Sequence, residues 1–330
     1  MSDKKKHHVV PVTYLSGFVD NTGKLYEYRK DEPDNPNYNV PREVGHRRYY
    51  YSQPMPDGGM DNNSLEDFFD KAFENKWNNL LSKIHNKEAL FQNDHELLFR
   101  FVSMLRVRVP AARDHIEHQL AELLKTTAKK LDIMGQLPPK PPQLENTDLL
   151  KDVQVSIDPH QSIRAMEPMM KGFSVVLGSI GFKILENQTA IPFITSDNPV
   201  CNFDPDIPEK KMLPYVISRN SMRIELIFPL DNKHILHGHS DYKESYNQNG
   251  IAYINLDKKR DVKRFNRLVC RFGYEKIFAC SEEHRKLIKK YSSLSPVLRT
   301  DKIPVEDGII NLFTNVFGKR SKLPKWHRNN

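Results

Sequence analysis

Cysteine is scarce in this chain: Cys201, Cys270 and Cys280 are all it has, odd in number and far apart. That excludes a disulfide framework and a cysteine-built zinc site, and it fits buried thiols in a reducing compartment. Long hydrophobic runs are missing too. The longest, near 178–185 and 191–194, are short and interrupted, so no membrane-spanning helix is expected. Met1-Ser2-Asp3-Lys4-Lys5-Lys6 carries basic residues with no apolar stretch behind them, unlike a secretory leader. Nor is there a glycine-rich phosphate loop, a complete nucleophile triad or a zinc signature. These absences point to a cytoplasmic protein without membrane partners, and they leave its chemistry to be found elsewhere.

What is present is charge and aromatic surface. Fifty Lys and Arg face 42 Asp and Glu, a formal charge of +8, while 38% hydrophobic residues suffice for a folded core. The excess is moderate. It favours polyanionic partners, nucleic acid foremost, through counterion release, and it equally serves solubility. Protein partners are not specified.

The pattern along the chain predicts an α+β fold. Residues 1–56 are strand- and turn-rich: Lys24 to Arg29 alternates after the turn Asp20 to Gly23, Pro33 to Asn37 reads as a loop, and Arg47 to Tyr51 as a short strand. From Ser64 the apolar period becomes helical, through Phe68, Phe69, Phe73, Trp77, Leu80, Leu81 and Ile84. A second long helix begins after Asn93-Asp94, with Leu97 as its first apolar position, is broken at Pro110, and resumes from Ala111 to Met134. The proline run at 138–142 reads as an extended connector. A methionine-rich helix at 159–180 reads as adaptable core, and Lys183 to Thr195 as a hairpin. Later come strands at 223–228, 235–239 and 276–280 and helices at 257–271 and 281–291. With helices in the middle and strands on both sides, a mostly antiparallel sheet assembled from N-terminal and C-terminal segments is expected, packed against a central long-helix bundle. The organisation expected is one compact domain over 1–295 and a peripheral basic tail over 296–330.

Five candidate sites stand out. Ser196-Asp197-Asn198-Pro199 follows an apolar stretch; Asp197 has the chemistry of a metal ligand or general base, with Ser196, Asn198 and Pro199 shaping the loop, or the whole motif is an aspartate/asparagine turn that only shapes the loop. His8 can move a proton near neutral pH. Its His-His-Val-Val-Pro context also matches the start of a ββα-metal nuclease, but no helix bearing a ligand histidine follows. Arg106 and Arg113, seven residues apart, would share a face if the helix continued through its break, and would then clamp a phosphate or carboxylate or else salt-bridge to Glu66, Glu74 or Glu117. Arg260, Arg264, Arg267 and Arg271 fall at i, i+4, i+7 and i+11, a basic stripe that would bind nucleic acid or remain a solvated face. Finally, His237, His239 and Asp241 would share one face of a strand near His234, at metal-ligand spacing.

The chain is identified as resembling the domain of unknown function family 4238, widespread in bacteria. The resemblance rests on His8, Pro11, Tyr14, Leu15 and Phe18, on Leu25-Tyr26-Glu27-Tyr28, and on Arg106, Pro110 and Arg113. Thr195 to Val200 and Phe228-Pro229-Leu230 complete it. It runs from about 8 to 281 and leaves out His7 and everything past Pro296. It implies a fold and site residues but no reaction. Members look like accessory genes of bacterial and phage conflict, which implies activity directed at nucleic acid.

Two readings follow. In the first, His8, Tyr14, Arg106, Arg113 and Asp197 converge on one pocket as the centre of a nuclease-like hydrolase, with a divalent metal as the candidate cofactor. In the second, helix 257–271 makes the chain a non-catalytic nucleic-acid-binding or protein-interaction module.

Overall fold

The structure is a computed structural model and describes residues 5–139, 142–144, 153–217, 222–305 and 308–321. In chain order its elements are β1 (Lys6–His8), α1 (Val12–Leu15), β2 (Leu25–Arg29), β3 (Glu32–Asn39), β4 (His46–Arg48), β5 (Gln53–Pro54) and β6 (Met60–Asp61). The helices α2 (Ser64–Phe69), α3 (Asn75–His85), α4 (Gln92–Val107), α5 (Pro110–Ile133), α6 (Pro159–Arg164) and α7 (Met166–Gly178) come next. Then follow β7 (Gly181–Asn187), β8 (Thr195–Ser196), β9 (Cys201–Phe203), β10 (Glu225–Pro229), β11 (His234–His239), α8 (Lys243–Asn249) and β12 (Ala252–Leu256). The chain continues with α9 (Lys259–Phe272), β13 (Lys276–Ala279), α10 (Arg285–Tyr291), β14 (Ser295–Val305) and β15 (Gly308–Gly318).

The architecture is α+β. One sheet has the order β12-β7-β11-β10-β9, antiparallel except for the parallel β12–β7 pair. A second, β3-β2-β13-β8, is antiparallel and joins N-terminal to C-terminal strands, as the sequence pattern predicts. Helices α3 and α4 pack an aromatic core on the first sheet. Trp77 stacks on Phe101 at 4.0 Å between ring centres, and Tyr14 stacks on Phe228 at 5.4 Å. Such pairs contribute about 0.5–1.5 kcal/mol beyond the area they bury. Tyr14 is fully buried, and its hydroxyl finds two partners. It donates to the Pro229 carbonyl at 2.7 Å and meets the Thr195 hydroxyl at 2.7 Å, tying α1 to both sheets.

The break at Pro110 is where proline demands it. Val109 is extended at ψ 157°, α4 stops at Val107, and Pro110 opens α5 as its first residue. The helix expected from Ser64 is instead divided by a π turn at Asp70–Glu74 between α2 and α3.

Three expectations need correction. Residues 32–39 are a strand, not a loop. As the edge of its sheet, pairing only with β2, β3 tolerates Pro33 and Pro36 because no ladder donor is needed on the open side. No hairpin spans 183–195. Asn187 turns the chain by accepting from Thr189 N and donating to Ile191 O, and Phe193 N and Ile194 N go to Asn232 O and the Asn266 side chain. The segment after Pro296 is not a tail up to Gly318: β14 and β15 form a long hairpin against α5. His115 and His118 meet Pro296 O and Thr300 Oγ1, and Asn311 bonds Thr126. Lys322, Lys325 and Arg328 of the proposed basic tail, and the proline connector at 140–141, lie outside the described residues.

Replacing Tyr14 by Phe keeps the ring and removes both hydroxyl bonds. We expect a loss of about 1–3 kcal/mol of stability, read by urea denaturation; an unchanged midpoint would deny the hydroxyl its bridging role.

Candidate functional site

The residues singled out in the sequence are tied into hydrogen-bonded and stacked contacts, in which Arg106 and the Asp197 loop share Tyr215. His8 Nε2 lies 3.1 Å from Arg42 O and its backbone N–H donates to Glu66; burial lowers its pKa. Arg106 lies over the Tyr215 ring at 3.7 Å. Arg113 is buried, donating to Ser162 Oγ, Tyr50 O and Pro159 O and stacked on Tyr50. On the two sides of the Pro110 break, Arg106 and Arg113 thus have different aromatic partners, Tyr215 and Tyr50. Arg108, between them, is the fully buried one, bonded to the Tyr51 hydroxyl and His8 O.

Asp197 is also buried. Its carboxylate accepts from Tyr274 N and Glu275 N, both at 2.8 Å, and its own N–H donates to Lys276 O. Ser196 Oγ accepts from Asn198 N, and Asn198 donates to the Phe272 carbonyl at 2.7 Å and to the Tyr215 hydroxyl. Pro199 leads into β9. This loop clamps the turn between α9 and β13. Burial, and then the nearby Glu275, push the Asp197 carboxyl from 3.8 up to about 6 despite those backbone bonds.

The basic stripe of α9 is largely spoken for. Arg264 makes a two-pronged pair with Glu225 at 2.7 Å, Arg267 another with Glu209 at 2.6 Å, and Arg271 donates to Glu209 O and lies over Phe317. Arg260 is exposed, 3.4 Å from Asp261. In the His237, His239 and Asp241 grouping, His239 Nδ1 and Asp241 Oδ2 stay 3.4 Å apart while His237 is taken up by Glu225. His237 bonds Glu225 at 2.9 Å, and His239 accepts from Asp241 N.

A different constellation forms where α3 ends against the turn between β10 and β11. Leu230 N–H donates to His234 O, closing that hairpin turn, and Asp231 sits in it. Its Oδ1 accepts from Lys233 N at 2.7 Å and His234 N at 2.8 Å, an aspartate turn that fixes the carboxylate. His234 Nδ1 lies 3.0 Å from both carboxylate oxygens. His85, the last residue of α3, brings Nε2 to 2.6 Å from Oδ2. Asp231 and His234 are buried and His85 is half exposed. Gly17 makes room: a Cβ there would come 2.9 Å from Asp231 Cβ, and its carbonyl accepts from Asn232 N.

Burial works against ionising Asp231, but the bonds from His234 and His85 outweigh it and hold the carboxyl well below the usual range. The same bond raises the pKa of His85. The ligand atoms of His85, Asp231 and His234 lie within 4.8 Å of one another, and the three line a cleft of about 630 Å³ with Asn78, Ser82 and Lys233. Two imidazoles and a carboxylate are a donor set for Zn²⁺ and related transition ions. The sequence reading had His234 but neither partner.

The family model described as Protein of unknown function (DUF4238) matches residues 6–283. The chain belongs to this family. No curated protein and no solved structure matches it. The DUF4238 match takes in His85, Asp231 and His234 as well as His8 and Asp197, and leaves the β14–β15 hairpin outside. No described helix of this DUF4238 chain is long and apolar enough to cross a membrane.

Asp197→Ala strands two backbone N–H groups and should cost about 2–4 kcal/mol. Because folding raises the Asp197 pKa, the folded state holds the extra proton between 3.8 and about 6, and this contribution to stability falls as pH rises through that window. In denaturation of wild type and Asp197→Asn from pH 4 to 7, the stability of wild type relative to the variant should fall as pH rises; a difference that does not change with pH would contradict the assignment.

Proposed function

We propose that this chain is a divalent-metal-dependent hydrolase acting on nucleic acid, with its ion among His85, Asp231 and His234. One observation carries the reading: two imidazoles and a buried carboxylate converge, ligand atoms within 4.8 Å, on the wall of a roomy cleft. His85 Nε2, His234 Nδ1 and an Asp231 oxygen would hold the ion, displacing the protons that now join them. A bound ion of this kind supplies a Lewis acid and a nucleophilic hydroxide near neutral pH. The chain's own residues do the rest. Lys233 N and His234 N hold the Asp231 carboxylate in place, and Gly17, lacking a Cβ, lets the backbone pack close against Asp231. Lys233, in the same wall, offers an ammonium to a phosphate. The net charge of +8 favours a polyanionic substrate. A nuclease of this kind would suit the phage-defence role that the likeness to accessory genes suggests.

The non-catalytic module built on helix 257–271 keeps one observation in its favour, the exposed Arg260 at the start of α9. Its other three arginines have intramolecular partners, and we rank it second.

His85 is half exposed, so His85→Ala should fold. Calorimetric titration with Zn²⁺ or Mn²⁺ should find one site in wild type, weakened in the variant by more than the ~10–100-fold that loss of an outer partner costs. Cleavage of total RNA, single-stranded DNA or plasmid with Mn²⁺ should vanish with it. Cleavage that survives His85→Ala, or the absence of any metal site, would sink the proposal.

A further inference from the structure

A second cleft, of about 570 Å³, lies between α9 and α10, within the range of small-molecule sites. Lys263 of α9 and Lys286 and Lys290 of α10 line it, beside an apolar wall of Ile191, Leu287 and Tyr291. On α10 the spacing separates two functions. Lys286 and Lys290 are four residues apart, as are Leu287 and Tyr291, so an ammonium pair runs alongside an apolar pair one position round the helix.

The cations of this helix differ in their commitments. Lys289, pointing away from the cleft, pairs with Asp34 at 2.9 Å, and Arg285 donates to Asp34 O. Arg267, in the cleft wall, is taken by Glu209. Lys263, Lys286 and Lys290 are exposed and have no carboxylate within 4 Å among the described residues; Lys290 has only the Tyr291 ring, at 5.6 Å. Three ammonium groups held around one concavity repel one another and are relieved by a multiply charged anion. Glu283 is the one carboxylate in the wall.

The wall also holds an unused polar atom. His284 is 4% exposed, and its Nε2 has no hydrogen-bond partner, lying 3.6 Å from Glu283 Oε1. Its neighbour Asn266, equally buried, is satisfied by Ile194 N and Pro192 O.

We propose that this cleft binds a nucleoside triphosphate, with the phosphates on Lys263, Lys286 and Lys290 and the base against Leu287 and Tyr291. Phosphate matches the cations, and a flat ring matches the aromatic wall beside them. The site is separate from the His85–Asp231–His234 cleft and stands or falls independently of the hydrolase reading.

The test is fluorescence titration of the full chain with mant-labelled ATP, with Lys286→Glu/Lys290→Glu and Tyr291→Ala compared after melting curves establish folding. We expect saturable binding, weakened by about tenfold or more in the double variant, since charge reversal removes two attractions and adds two repulsions. Tripolyphosphate should compete and adenosine should not. Tyr291→Ala should weaken mant-ATP while leaving tripolyphosphate affinity within about twofold, because stacking involves the ring alone. No binding, binding unchanged in the double variant, or competition by adenosine alone would overturn the proposal. So would binding of a single-stranded oligonucleotide with none of the mononucleotide.

Discussion

The carboxylate of Asp231 is the point on which the candidate centre depends. A short turn between two antiparallel strands places it, and its own backbone neighbours fix its direction. His234, three residues on, and His85, from the distant end of α3, then close on it. Without the turn there is no fixed acceptor, and without the buried acceptor the rings of His85 and His234 have nothing to bring them together. The aromatic stack of Trp77 and Phe101 with Tyr14 and Phe228 does the remaining work, because it seats α3 on the strand that leads into that turn. The core therefore sets the aim of the site.

The basic composition is a poor guide to where a ligand would sit. Most of the arginines that look available in sequence are used inside the fold, by Glu225, Glu209, Ser162 and aromatic faces. Arginine suits this use because its planar fork satisfies two acceptors at once and tolerates burial against rings. Lysines such as Lys263, Lys286 and Lys290, which the arginine periodicity of α9 conceals, line a concave surface with no carboxylate partner among the described residues.

Much of the fold was legible in the sequence, because its signals are local. Pro110 dictates the break between α4 and α5, and the alternation at Leu25 to Arg29 gives β2. Misreadings arose where side chains overrode local pattern. Asn187 bends a stretch that alternates like a hairpin, and β3 accepts prolines only because its outer edge is open. For the centre, only His234 stood out, grouped with His237, His239 and Asp241; Asp231 reads as an ordinary turn residue, and His85 lies 146 residues from it. Asp197 was conspicuous for a different reason. A buried aspartate clamping two backbone donors leaves as strong a mark on the sequence as a catalytic one.

The most direct measurement is an anomalous difference map at the zinc edge, from crystals grown with Zn²⁺. A single strong peak within bonding distance of His85 Nε2, His234 Nδ1 and an Asp231 oxygen is the result expected. A map with no peak there, and the two imidazoles still hydrogen-bonded to Asp231, would make the trio a structural lock and contradict the account.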